Sequence, residues 1–534
     1  MFCIGFIILF FSQNATGWTN CLPSIIMELF LRTRRTKMDK NLLQQYNEWE
    51  KRVAAYQMAL SLIEVDKQTV APAAGARYRN EKAAILSGEQ FSLRTDPAQA
   101  ELRAKLLAMP DLPFEDRRRI ELTDKKIRNT MVIPKDEFVA FAEFRSNSFV
   151  AWRQAKQENN YALFEPYLKQ MIEYKKKIYS YRNRPEPIYD QMLDDYEPGM
   201  DMVQYDAFFG LMKERLLPLI HDVQQARPIE DSFLYQDYPV AGQKEFMETI
   251  LRYIGADRSW CYQNETEHPF TSWLCENDIR LTTKYVPNNV SAAVFSTVHE
   301  SGHGYYTHNV APEYDGTVLY SGISSGMQES QSRLCENYLG RTKAFWEANY
   351  ARLQQIFPRQ LGSVSLDDFV RAVNVSRPTL VRTRADELTY PIHVLIRYEL
   401  EKGLFDGSIP TEGLDRTWNE MYQKYLGISS PTASQGILQD VHWGEGLIGY
   451  FPTYALGSAI AAQFVRTMRR QLDVDELLRT GHYTDIIAWL KENIHQYGCL
   501  YDARDILKRV TGEDFNPEYY VEYLENKYKA LYAL

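Results

Sequence analysis

The sequence predicts a large, mainly helical domain with a small β-sheet. Apolar residues from Leu42 to Ile63 recur at alternating intervals of four and three, which is the stripe of an amphipathic helix. Charges of both signs follow at helical spacing over 115–130 and again over 151–180. No linker rich in Gly, Ser or Pro divides the chain. We therefore expect one domain over 38–534, lobed around a cleft.

Segments with a strand-like composition are few. Residues 280–286 (RLTTKYV) carry the threonine and aromatic bias of a strand, and residues 233–240 carry less of it. The remaining chain lacks this bias and is helical in pattern. The sheet is therefore expected to be small.

Composition and charge exclude several classes of protein. The 534 residues are 45% hydrophobic and 25% charged, as in an ordinary globular protein. The net charge of −9 gives no electrostatic reason to bind nucleic acid, so no such partner is expected. Six cysteines without a C-x-x-C pair favour reduced thiols and a cytoplasmic location.

The first 37 residues form an extension of uncertain role. Phe2–Phe11 is an apolar run too short to span a bilayer, and it lacks the basic start of a secretory signal. A basic patch then leads to Met38, where regular helical patterning begins. A cleaved signal, an anchor and a physiological start at Met38 are the three interpretations, so a secreted or organellar location stays open. We expect 1–37 to be dispensable to the fold.

The chemistry centres on an H-E-x-x-H motif in residues 294–304 (VFSTVHESGHG). His299 and His303 lie four residues apart, on one helix face, so both imidazoles can bind one Zn²⁺ at about 2.0 to 2.1 Å. Glu300 can reach a metal-activated water and act as the general base. The alternative is a pair of surface histidines that bind no metal.

A catalytic zinc ion needs a third protein ligand and an open position. The polar segment 326–337 (GMQESQSRLCEN) enters a helix and offers Glu329 and Glu336. The chemistry of these residues alone does not choose between the two carboxylates. Such a site with two histidines and a glutamate accepts zinc and also cobalt.

Six motifs occur in a fixed order: HPF at 268–270, D-x-R-x-T at 278–282, HESGH at 299–303, ESQSR at 329–333, VRTRAD at 381–386 and GILQDVHW at 436–443. In these motifs the sequence resembles the thermostable carboxypeptidase 1 (Taq carboxypeptidase) family, from about Asn41 to the C-terminus. Two departures are visible, Val381 in place of isoleucine and Cys335 where tryptophan is common. Neither is a predicted ligand.

The resemblance implies a zincin-type, cleft-bearing, neurolysin-like fold with the sheet beside the active site. It makes Glu329 the third ligand of one Zn²⁺ per chain. It implies a homodimer that removes C-terminal residues from peptides with broad specificity, acting poorly on proline.

An exopeptidase must recognise a free α-carboxylate, for which a guanidinium is the natural partner because it binds both oxygens. Arg382 is the first candidate. Arg280 is the second, with an ion pair to Asp278 as its structural alternative. The oxyanion needs a donor besides the metal, and three side chains could supply it. These are Tyr450, Tyr454 and His442.

Four further motif residues are assigned to substrate contact or to support of the metal ligands, because ligating imidazoles usually donate their other N–H to an acceptor. They are His268, Asp386, Gln439 and Asp440. Two other functions compete with the leading one. A neurolysin-like oligopeptidase would still cleave a substrate whose α-carboxylate is blocked as an amide. A non-catalytic helical scaffold would have no need of Glu300.

Overall fold

The computed structural model describes residues 22–534, with side chains from Lys40 onward. Within that part the chain is mainly helical, as predicted, and it holds one small sheet. The helices are α1 (Leu22–Thr69), α2 (Ala76–Thr95), α3 (Pro97–Leu107), α4 (Phe114–Met131), α5 (Lys135–Gln157), α6 (Glu165–Ser180), α7 (Ile188–Tyr196), α8 (Met202–Gln225), α9 (Val240–Ile254), α10 (Ala292–His308), α11 (Ser325–Arg333), α12 (Lys343–Ile356), α13 (Pro358–Leu361), α14 (Leu366–Ala372), α15 (Tyr390–Asp406), α16 (Leu414–Leu426), α17 (Pro452–Met468), α18 (Val474–Arg479), α19 (Tyr483–Asn493), α20 (Ala503–Thr511) and α21 (Glu518–Tyr532).

The predicted helices and strands are largely confirmed. The stripe from Leu42 lies in α1, and the charged segment 115–130 lies in α4. The predicted strand at 280–286 overlaps β3. The strand expected at 233–240 is wrong, because its start forms a 3₁₀ turn closed by a hydrogen bond from Leu234 N to Asp231 O. The apolar run Phe2–Phe11 lies outside the described residues.

The sheet has the strand order β1–β3–β2, with β1 spanning Cys261–Glu265, β2 Thr271–Cys275 and β3 Asp278–Thr283. The central strand β3 runs parallel to β1 and antiparallel to β2, so β2 is an edge strand. Ile279 and Leu281 on β3 are fully buried against α10. The sheet therefore forms a support for the helix that carries the H-E-x-x-H motif.

The described part of the chain has three apolar cores, and two of them form the walls of a cleft. The smaller core packs α1, α3 and α4 through Tyr46, Trp49, Leu106 and Ile120. The larger core begins at Phe144 and includes the residues beneath α10, α11 and α17. Since each core is contiguous within itself, the N-terminal helices form one wall of the cleft and the main body forms the other.

No helix in the part of the chain that the structure describes has both the length and the apolarity needed to cross a membrane.

Candidate metal centre

The helix α10 places the two histidines of the motif side by side. His299 and His303 are one turn apart, and their ring centroids are 5.2 Å from each other at an interplanar angle of 77°. Most other residues of α10 are buried, so the helix is fixed on several sides. The two imidazoles are thus presented together at the cleft.

The third candidate ligand comes from α11, which begins after Ser324. The hydroxyl of Ser324 accepts a hydrogen bond from Met327 N at 3.0 Å, which caps the helix. Glu329 follows within the second turn, and its Oε2 lies 3.8 Å from His303 Nε2. Its Oε1 accepts a hydrogen bond from Arg333 Nε at 2.7 Å. Arg333 therefore holds one oxygen of this carboxylate while the other faces the imidazoles.

Ligand atoms of His299, His303 and Glu329 all lie within 4.8 Å of one another. Two imidazole nitrogens and one carboxylate oxygen are a donor set that zinc commonly takes in catalytic sites. Burial alone would raise the pKa of Glu329, but the charge of Arg333 and the neighbouring histidines lower it. The carboxylate is thus ionised at neutral pH, as a metal ligand must be. The three residues fit a divalent cation.

Glycine residues let the helices approach closely enough to assemble this set. A Cβ on Gly302, between the two histidines, would lie 2.5 Å from the carbonyl oxygen of Gln331 on α11. A Cβ on Gly457 of α17 would lie 2.6 Å from Cβ of Glu329. Only a residue without a side chain fits at either position. The close packing of α10 against α11 therefore explains why the motif has glycine at position 302.

Each histidine has an acceptor behind it that the sequence analysis did not identify. Glu336 Oε2 lies 3.0 Å from His299 Nδ1, and Gln328 Oε1 lies 3.1 Å from His303 Nδ1. These contacts direct the Nε2 atoms of both rings to the metal position and fix their tautomers. The two glutamates that sequence chemistry could not separate thus occupy different places, with Glu329 in front of the histidines and Glu336 behind His299.

The position of Glu336 depends on an irregular helix. Residues Leu334–Gly340 continue α11 as a π-helix, and Glu336 lies in its first turn. Burial alone would raise the pKa of Glu336, but Arg333 and Arg341, together with its hydrogen bond to His299, hold it well below its usual range. An ionised carboxylate is the stronger acceptor for an imidazole N–H.

Glu300 lies beside the metal position and is held by the edge strand. Its Oε2 is 2.6 Å from the hydroxyl of Thr271 on β2, and the side chain is largely buried. This contact leaves the second carboxylate oxygen available to the cleft. Thr271 was not singled out by the sequence analysis, because it lies between two motifs rather than within one.

Glu197 anchors the start of α11 from the end of α7. Its carboxylate accepts hydrogen bonds from Ser324 Oγ at 2.8 Å and from Gly326 N at 2.9 Å. A carboxylate at a helix N-terminus also interacts favourably with the helix dipole. Glu197 is buried, and it thereby fixes the helix that carries Glu329.

The metal centre opens into a cleft of about 860 Å³ between the two walls. His299, Glu300, His303 and Glu329 line it from the main body. Tyr450 and Tyr454 also line it, so two of the three predicted oxyanion donors face this cleft, while His442 is outside its lining. Helix α4 lines the opposite wall.

Arg382 is placed behind this lining. It is 5% exposed, and its guanidinium pairs with Asp440 at 2.9 Å and donates to Tyr390 Oη at 3.0 Å. The guanidinium lies 4.8 Å from the ring centroid of Tyr454, which is on the cleft side. Its backbone N–H donates to Gln439 Oε1 at 2.7 Å. Gln439 thus supports the arginine in the structure.

A second arginine shares the same carboxylate. Arg397 Nη2 lies 2.6 Å from Asp440 Oδ2, and Arg397 is fully buried. Two guanidinium groups on one carboxylate leave the cluster with a net positive charge. Asp440 therefore supports the arginines and does not contact the imidazoles of the metal centre.

His442 is neutral and hydrogen-bonded to a tyrosine that lines the cleft. Its Nε2 lies 3.2 Å from Tyr454 Oη, and burial lowers its pKa to about 3. Tyr454 is therefore fixed between His442 and Arg382.

Three predicted residues lie apart from the metal centre. His268 is exposed and outside the cleft lining, although Phe270 of the same HPF motif is part of it. Arg280 pairs with Asp278, with 2.9 Å between Nη2 and Oδ2, which is the structural alternative predicted for it. Asp386 accepts hydrogen bonds from Thr389 and from Arg377 N, so it stabilises its own loop.

Two imidazoles one turn apart, a carboxylate from a second helix and a glutamate beside them define a metallopeptidase of the H-E-x-x-H class. The model of the carboxypeptidase Taq (M32) metallopeptidase family matches residues 45–528. The chain therefore belongs to that family of metallocarboxypeptidases.

Relatives with similar sequences match nearly the whole chain. Carboxypeptidase 1 of Bacillus subtilis is 40% identical over 91% of this chain and 97% of its own length. Thermostable carboxypeptidase 1 of Thermus thermophilus is 34% identical over 90% and 97%. The crystal structure of an M32 carboxypeptidase from Deinococcus radiodurans superposes with a TM-score of 0.90 at 31% identity, covering 92% of this chain and 100% of that one. The family predicted from the motifs is thus confirmed.

Proposed function

We propose that the protein removes C-terminal residues from peptides by metal-dependent hydrolysis with Glu300 as the general base. The observation that carries the proposal is the convergence of His299, His303 and Glu329 in a cleft beside Glu300. The first three would hold the cation. A divalent cation, when bound, supplies Lewis acidity that lowers the pKa of a nearby water and polarises a carbonyl.

Glu300 has the position that proton transfer requires. Thr271 holds one of its oxygens at 2.6 Å, so the carboxylate keeps one orientation while its other oxygen accepts a proton from the attacking water. Glu300 then delivers that proton to the leaving amine. Tyr450 and Tyr454 face the same cleft and supply hydrogen bonds to the developing oxyanion.

Arg382 is the proposed partner of the substrate's α-carboxylate. It shares Asp440 with Arg397, so the cluster carries one more positive than negative charge and has capacity for a second carboxylate. Tyr454 separates Arg382 from the cleft, and binding therefore requires that ring to move or the guanidinium to turn past it. His268 and Arg280 remain candidates for contacts further along the peptide.

Several finer properties belong to the same proposal. The cation is Zn²⁺, with Co²⁺ as a replacement, since both suit this donor set. The enzyme is a homodimer of broad specificity that leaves C-terminal proline in place, as the family resemblance implies. A cytoplasmic location is supported by four unpaired cysteines among the described residues, Cys261, Cys275, Cys335 and Cys499.

The test combines one variant with two substrates. Glu300→Gln should retain the metal, measured by elemental analysis, while losing hydrolysis of a blocked dipeptide by at least about 100-fold. The wild-type enzyme should release residues from a peptide with a free C-terminus and fail on its C-terminal amide. Equal cleavage of the amide would favour an oligopeptidase. Near wild-type turnover by Glu300→Gln would remove Glu300 from the role of base.

Chelation followed by add-back of single metals identifies the cation. Activity should vanish with the chelator and return with zinc or cobalt. Full activity after complete removal of divalent cations would refute the metal-dependent mechanism.

A further inference from the structure

A second groove opens from the catalytic cleft beside Trp273. It has a volume of about 460 Å³ and lies between α1, α4, the edge strand β2 and residues 315–321. Four residues line both the groove and the cleft, so the two spaces adjoin each other. They are Lys126, Trp273, Val318 and Ser321.

The walls of the groove suit an extended peptide. Trp49, Val53 and Met58 of α1 provide apolar surface, and Trp273 supplies an aromatic face at the junction with the cleft. Tyr320 also lines the groove, is 6% exposed, and its hydroxyl has no hydrogen-bond partner among residues 40–534. A buried polar group without a partner is costly, and a ligand that offers it one is favoured.

Two cations in the groove lack counter-ions. Neither Arg94 nor Lys126 has an ion pair or a side-chain hydrogen bond to any described side chain or backbone group, and both line the groove. The other cations of the adjoining cleft differ, because Arg118 pairs with Asp502 and Lys125 with Asp194. Arg94 is half-buried, and burial without a counter-charge lowers its pKa.

The carboxylates near the groove do not neutralise these cations. Glu50 lines the groove but pairs with Arg119 at 3.1 Å. Asp315 is exposed and, within the described part of the chain, pairs with neither Arg94 nor Lys126. A ligand carboxylate placed at either cation would therefore meet a positive charge that no described carboxylate neutralises.

We propose that this groove is an upstream subsite in which Arg94 and Lys126 bind an acidic side chain of the peptide substrate. The inference rests on the proposed carboxypeptidase function. Such an enzyme has a single residue after the scissile bond, so any longer part of the bound peptide must extend from its N-terminal side. A groove that adjoins the cleft is therefore placed to receive residues that precede the scissile bond.

The experiment uses alanine-rich peptides of fixed length with a free C-terminus. One glutamate is moved along each peptide, and release of the C-terminal residue is measured as kcat/KM relative to the peptide without glutamate. We expect a preference of about 3- to 10-fold at one upstream position, the size of one or two partly exposed ion pairs. The preference should fall at high salt because the cations are accessible to solvent.

The double variant Arg94→Met/Lys126→Met should abolish this preference. The preference is the kcat/KM for the peptide with glutamate at the favoured position divided by the kcat/KM for the peptide without glutamate, both measured with the same enzyme. Asp315→Asn is the matched control. It should keep the preference for glutamate, because it removes a negative charge from the groove and leaves both cations in place. Two results would overturn the inference. One is a wild-type enzyme whose kcat/KM does not depend on the position of the glutamate, and the other is an unchanged preference in the double variant. If no peptide lost its C-terminal residue, the proposed function itself would fail, which is a distinct outcome.

Discussion

Replacing Gly302 by alanine tests whether the close approach of α10 and α11 assembles the metal centre. A Cβ there would lie 2.5 Å from the carbonyl oxygen of Gln331 and 2.6 Å from Cα of Ser332. Both are backbone atoms, so no side chain can rotate away. Restoring the 3.4 Å of ordinary contact requires the helices to separate by about 0.9 Å.

The expected losses differ between stability and metal binding. Overpacking costs about 1 to 3 kcal/mol, while alanine in a helix interior recovers about 1 kcal/mol relative to glycine. The free energy of unfolding should therefore fall by no more than about 2 kcal/mol. Metal affinity should fall by at least about 10- to 100-fold. Glu329 moves with α11, and mutation of residues that only hydrogen-bond to metal ligands already costs that much affinity.

Gly304→Ala is the matched control on the same helix. Its Cβ would meet side chains and no backbone, with Leu281 at 3.1 Å, Ile279 at 3.3 Å and Trp260 at 3.9 Å. The assay is competitive metal titration against a chromophoric chelator, with thermal unfolding of both metal-free variants. Wild-type metal affinity in Gly302→Ala, or an equal loss in Gly304→Ala, would refute the role given to this helix contact.

Three further changes address other parts of the site. Glu336→Gln should weaken metal binding by about 10- to 100-fold, because His299 loses a charged acceptor, and a chelator titration measures it. Arg382→Ala should cost about 2 to 5 kcal/mol in kcat/KM for peptides with a free carboxylate, since Asp440 also loses a partner; an unchanged value would exclude Arg382 as the carboxylate partner. Burial raises the pKa of Glu197 to about 7 from 4.5, so its proton stabilises the fold below pH 4.5 and this stability is lost as the pH rises to about 7. Glu197→Gln should flatten the dependence of Tm on pH in that interval, and an unaltered slope would contradict the assignment.

The sequence alone indicates which residues of the motif share the candidate site, because their spacing is local. His299, Glu300 and His303 lie within one helical turn or so, where spacing alone determines which side chains share a face. The third ligand is different, because it depends on how α11 packs on α10. The contact at Gly302 and the π-helix after Arg333 place Glu329 beside the two imidazoles and Glu336 behind His299. Neither feature leaves a periodic signal in the sequence.

The strands were harder to predict than the helices. Both β1 and β2 have only five residues, and the first (CYQNE) carries little strand-like composition. Each of the two strands pairs with β3, and α10 packs against β3, so both depend on contacts that form only in the folded chain. Thr271 shows the consequence for function, because its contact with Glu300 exists only once β2 lies beside α10.

The π-helix at Leu334–Gly340 has a consequence for protein engineering. A π-helix is rarer than an α-helix and occurs mostly as a single turn inside one, often at a functional site. Deleting one residue between Arg333 and Glu336 would give a smoother helix, yet it would rotate the following carboxylate by about 100° around the axis. A variant without this irregularity would therefore lose the acceptor behind His299 and is expected to bind a metal ion less tightly.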